Sequence, residues 1–174
     1  MTSAQLDPAS AINDRVGLDR AYQDERKVFM TGDTLFVAGT SSIGDVLDDI
    51  ALPFNLTRGT QRYIDAERVL AANPKIRRVV GHSLGGAVSL ELQRAHPELK
   101  SRTYGAPVMS MSPGERYRSL GDPVSILDFR AQKSLPNSPN PHSYQDLAEN
   151  VTNTPGPGVG AGSYDVAGIT HAYR

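Results

Sequence analysis

The chain contains no cysteine, which excludes disulfides and thiolate metal sites. It has no excess of either charge. The 18 basic and 19 acidic residues leave a formal net charge of −1, and no polybasic tract is present. Neither nucleic acid nor an anionic membrane surface is therefore indicated as a partner. Long apolar runs are missing too. The first thirty residues are polar and charged, without the apolar run of a leader peptide, and no stretch approaches the roughly 18 apolar residues that a transmembrane segment needs. We expect a soluble protein, cytoplasmic or particle-associated rather than secreted. No His/Asp/Glu group has ligand spacing, so no metal is expected. With 174 residues, 39% of them hydrophobic, the chain can bury one sizeable core, and one domain is the default.

Against these absences stands Gly81-His82-Ser83-Leu84-Gly85-Gly86. Ile76 to Val80 before it reads as a short strand. Ala87 to Ala95 after it reads as a helix stopped by Pro97. Glycines around a serine in a strand-to-helix turn let the backbone bend tightly enough to expose the hydroxyl. The N–H of Leu84 would then lie at a helix N-terminus, where an oxyanion can be held.

Elsewhere, helical and strand patterns alternate. Pro8 to Gln23 carries Ala11, Ile12, Val16 and Leu18 among charges and predicts a helix. Lys27 to Met30 and Thr34 to Ala38, joined by Thr31-Gly32-Asp33, predict an antiparallel hairpin. Ser42 to Asp45 has capping-box spacing, and Ile43, Val46, Leu47, Ile50 and Ala51 form an apolar helical stripe ended by Pro53. That helix is either packed on the sheet or a lid over an apolar site. Thr60 to Ala72 predicts a further helix. Strands are expected at Arg102 to Ala106 and around Tyr117 to Leu120 and Val124 to Leu127. Ser134 to Pro141 reads as a loop closed by His142, with a capped helix from Ser143 onward. We place one domain at residues 1–151 and a flexible Gly/Pro-rich tail at 152–174. The alternation argues for an α/β layer fold with a mostly parallel sheet and an antiparallel edge. In such sheets reactive groups collect at the carboxyl ends of the strands.

A serine hydroxyl needs a base, and the base needs an acid to orient it. His82 adjoins Ser83 inside the turn and cannot easily curl back onto it, and His96 lies at the far end of the following helix. His142 follows in the order serine, acid, histidine and precedes a helix that can anchor it, with His171 as the rival. Asp122, in Gly121-Asp122-Pro123-Val124, is the candidate acid. Asp128 is the alternative, and Asp146 reads as a capping residue. Thr40, after the strand ending at Ala38, is the candidate second oxyanion donor. Gly39 to Ser42 can equally cap the next helix.

From Val28 to Tyr144 these residues resemble the fungal-type (class 3) lipase family of α/β hydrolases. The likeness lies in Leu35-Phe36-Val37-Ala38-Gly39-Thr40, Gly81 to Ala87, Thr103-Tyr104-Gly105-Ala106-Pro107 and Asp122-Pro123-Val124. The resemblance implies a compact α/β-hydrolase fold and carboxylic ester hydrolysis through an acyl-enzyme, without a cofactor. Ser83 would attack, His142 would shuttle the proton, Asp122 would hold the imidazolium, and the amides of Thr40 and Leu84 would bind the oxyanion. It implies an ester or lipid substrate, met at a membrane or lipid interface, and a lid at residues 42–51. The lack of tryptophan and of a leader peptide points to an esterase or phospholipase rather than a secreted fat-splitting lipase. A thioesterase or amidase would use the same residues. The reading from another class is a non-catalytic binding or structural module on the same fold.

Overall fold

The computed structural model describes residues 8–40, 57–107, 113–119, 121–122, 124, 133–135, 140 and 142–153. In chain order they form α1 (Pro8–Gln23), β1 (Val28–Thr31), β2 (Thr34–Val37), a 3₁₀ turn (Thr57–Gly59), α2 (Gln61–Ala72), β3 (Arg78–His82), α3 (Leu84–Ala95), β4 (Lys100–Tyr104), β5 (Glu115–Ser119), β6 (Lys133–Leu135) and α4 (Tyr144–Asn153). Among the described residues the strands make one six-stranded sheet in the order β1 to β6. β1 and β2 are antiparallel, and every other pair is parallel. This is the expected α/β architecture, a mostly parallel sheet flanked by helices with a hairpin at its edge.

Period-two alternation distributes the strand side chains between two cores. Phe36, Ala38, Val80 and Tyr104 face one side, where they pack with Ala11, Leu18 and Ala21 of α1 and Leu147 of α4. Leu35, Val37 and Val79 face the other, against Tyr63 and Ala66 of α2 and Val88 and Leu92 of α3. β2 is buried at all four residues, as a strand covered on both faces must be. The Gly32-Asp33 hairpin turn has Gly32 at φ +57°, the left-handed conformation that such a turn requires. α2 is capped by Thr60, whose hydroxyl accepts the Tyr63 N–H at 3.2 Å.

Several boundaries depart from the sequence reading. β3 begins two residues late and runs through Gly81 and His82. Their partners Thr103 and Tyr104 of β4 hold them in the ladder, while the N–H groups of Arg77 and Arg78 turn back to the Asp33 carbonyl. β4 ends at Tyr104 because Gly105 takes φ +56°. Ser134 and Leu135, expected in a loop, belong to β6 and pair with Arg118 and Ser119. Val16, expected on the apolar side of α1, is 55% exposed; the buried stripe is Ala11, Asp14, Leu18 and Ala21. The helix expected over 42–51, Asp128, His171 and residues 154–174 lie outside the described residues, and α4 runs on to Asn153. Among the described residues, no helix is long and apolar enough to cross a membrane.

Candidate active site

Four loops meet at the carboxyl end of the sheet. They follow β2 at Gly39, β3 at Ser83, β4 at Gly105 and β5 at Asp122. Ser83 sits between β3 and α3 with φ +54° and ψ −128°, a conformation that costs a non-glycine residue about 1–3 kcal/mol. The surroundings over-determine it. The Ser83 N–H donates to the Tyr104 carbonyl at 3.0 Å, and its own carbonyl accepts the Gly86 N–H at 2.8 Å. The turn closes only because its flanks lack side chains: a Cβ on Gly81 would lie 2.3 Å from the Gly85 carbonyl oxygen, and one on Gly85 would lie 2.1 Å from that of Val37.

His142 stands between Ser83 and Asp122. Its Nε2 is 3.0 Å from Ser83 Oγ and its Nδ1 is 2.9 Å from Asp122 Oδ1. An ionised carboxylate can only accept, so Nδ1 carries the proton and Nε2 is left to accept from the Ser83 hydroxyl. Asp122 is fully buried and also accepts the Val124 N–H at 2.9 Å. Gly105 packs on this pair: a Cβ there would lie 3.1 Å from Asp122 Oδ2 and 3.3 Å from His142 Nδ1. The loop bearing His142 is anchored as expected, the Asp146 N–H donating to Ser143 Oγ at 3.3 Å. Asp146 itself accepts the Asn140 N–H at 3.3 Å. His96 faces away, its Nε2 2.9 Å from Glu67.

The two candidate oxyanion donors flank the serine. Leu84 opens α3, where the first N–H groups have no partner within the helix. Thr40 follows Gly39, where a Cβ would come within 2.7 Å of Ser83 Cβ. Gly39's own N–H is committed elsewhere, donating to Tyr22 Oη at 3.1 Å. The arrangement brings a serine hydroxyl, an imidazole, a carboxylate and two main-chain segments to one point. Proton removal from Ser83 by His142, backed by a buried carboxylate, is what it can do chemically. Among the described residues no group of three or more His, Cys, Asp or Glu is placed to hold a metal ion.

Two residues in this cluster escape a reading from sequence. His82, considered only as a direct partner of Ser83, instead bonds the main chain of His142, its Nε2 2.7 Å from that carbonyl oxygen. Burial, with His142 nearby, pushes its pKa down to about 3, so it is neutral at pH 7. Tyr22, at the end of α1, lies with its Oη 2.5 Å from His82 Nδ1. Burial raises its phenol to about 12. A GxSxG pattern points to the residue beside the serine, but nothing in the spacing of α1 points to Tyr22.

No protein-family description matches the chain, and no curated protein matches it. Among solved structures, a lipase from Rhizopus microsporus var. chinensis is similar over 68% of this chain and 67% of that one, with 16% identity and a TM-score of 0.40. At that level the likeness says nothing about chemistry, which rests on the geometry above.

Proposed function

We propose that the chain is a serine-dependent carboxylic ester hydrolase, lipase- or phospholipase-like, of the α/β-hydrolase type. One observation carries the reading: the unbroken hydrogen-bonded line from Ser83 through His142 to Asp122, at 3.0 and 2.9 Å, with the serine held at positive φ. On this reading Ser83 Oγ attacks the ester carbonyl as its proton passes to His142 Nε2. The N–H groups of Leu84 and Thr40 receive the oxyanion, and Asp122 stabilises the imidazolium. His142 then returns the proton to the departing alcohol. Water, deprotonated by the same ring, releases the acid from the acyl-enzyme. The substrate is an ester or lipid. A lipid substrate would be met at a lipid interface.

The test is labelling of the purified protein with a fluorophosphonate, peptide mapping, and turnover of p-nitrophenyl esters. Stoichiometric modification of Ser83 is expected, with Ser83→Ala unlabelled and its kcat reduced by a factor on the order of 10⁴ or more. A folded protein that neither labels nor turns over any ester would overturn the reading in favour of a binding module.

A further inference from the structure

Resting on the hydrolase reading above, we propose that Tyr22 and His82 are positioning residues: a one-way chain of hydrogen bonds from the Gly39 N–H through their side chains to the His142 carbonyl holds the general base and the oxyanion-binding strand end in fixed relation to Ser83. Three contacts make the chain: Gly39 N to Tyr22 Oη at 3.1 Å, Tyr22 Oη to His82 Nδ1 at 2.5 Å, and His82 Nε2 to the His142 carbonyl oxygen at 2.7 Å.

The direction of the chain follows from its ends. A main-chain N–H can only donate and a carbonyl can only accept. His82 must therefore carry its proton on Nε2, and the Tyr22 hydroxyl must point at Nδ1. A second proton on His82 would set two donors against each other at Tyr22 while Gly39 holds the phenol oxygen from behind.

The ends of the chain fall on the two parts that the chemistry needs held. Gly39 packs against Ser83 Cβ and leads into Thr40. His142 offers its ring to Ser83 and Asp122 while its carbonyl is tied to His82. The rings are clamped as well. Tyr144 of α4 stacks on Tyr22 at 5.3 Å with planes 7° apart, and sits 5.0 Å from His82. The rings of His82 and His142 are 4.9 Å apart. The titratable and charged groups facing His82 are Tyr22 from α1, Tyr144 from α4, and His142 and Asp122 from the two loops, with Arg62 of α2 acting on Tyr22. Burial keeps His82 neutral, so an imidazolium can form on His142 without a second cation alongside it.

The experiment measures ester hydrolysis by wild type, Tyr22→Phe, His82→Phe and His82→Gln, with ¹⁵N spectra of the wild-type imidazoles. Tyr22→Phe, which keeps the ring stack and removes the hydroxyl's two hydrogen bonds, is expected to lower kcat about tenfold with KM held within about twofold. His82→Phe should cost about a hundredfold, and His82→Gln, which restores a donor to the His142 carbonyl, should recover most of it. The His82 resonances should show the Nε2-protonated tautomer at pH 7. Unchanged kcat in Tyr22→Phe, or an Nδ1-protonated His82, overturns the positioning role while leaving the hydrolase reading intact. No turnover and no Ser83 labelling in folded wild type overturns both. Should His82→Phe fail to fold, Tyr22→Phe and the tautomer decide.

Discussion

Gly105 shows how closely single atoms are set around the proposed reaction centre. It stands at φ +56°, and its missing side chain leaves the space filled by Asp122 Oδ2 and His142 Nδ1. Gly105→Ala would strain the backbone and push both partners by a few tenths of an ångström. We expect kcat to fall by about ten- to a hundredfold while thermal unfolding shifts only modestly; esterase kinetics beside a melting curve check it. At this scale the sequence was legible where chemistry leaves a local pattern. Ser83 is marked by its glycines, and Asp122 and His142 by chain order and by the elimination of other histidines. Tyr22 left no such mark, because its partner is 60 residues away and only packing of α1 beneath β3 brings the two together. His82 was rightly set aside as a partner of Ser83, but the partners it does have were not foreseen. Its side chain turns from the serine towards a carbonyl that no local pattern reveals.

At the scale of elements, the decisive contact is the crossing of β2, β3 and α3. The start of α3 lies so close to β2 that a methyl group at Gly85 would stand 2.1 Å from the Val37 carbonyl oxygen and 2.6 Å from that of Ala38. Main chain on both sides cannot yield as a flexible side chain would. Gly85→Ala should therefore destabilise the protein by about 3 kcal/mol or leave it insoluble, as urea unfolding would measure. Ser89→Ala, losing only the hydroxyl's 2.8 Å bond to the Gly85 carbonyl, should cost about 1 kcal/mol. α2, α3 and the hairpin were readable because period and turn chemistry agree over many residues. β6 was not. Lys133-Ser134-Leu135 shows no alternation long enough to register, and its strand is defined by its parallel pairing with β5.

Across the whole molecule, the buried histidine makes stability depend on pH. In the unfolded chain His82 titrates near 6.5, and in the native protein near 3. Between those values the unfolded state binds the extra proton, so stability is full above about 6.5 and declines as pH falls, by up to about 1.4 kcal/mol per pH unit. Asp14 acts in the opposite sense. Burial raises its carboxyl pKa despite Arg102 at 2.8 Å, so stability from that group falls as pH rises through its native value. Comparing wild type with His82→Gln separates the two: from pH 6 to pH 4 wild type should lose on the order of 2 kcal/mol more than the variant, as chemical denaturation would record. One more consequence follows from where the site's parts lie along the chain. Ser83 and His142, which it contacts, are 59 residues apart, with the serine first. On the proposed chemistry, a ribosome therefore completes the nucleophile well before it makes the residue that would activate it. Until His142 has emerged and docked, Ser83 is an ordinary alcohol, and on the proposed chemistry the order of synthesis keeps the nascent chain harmless to the esters around it.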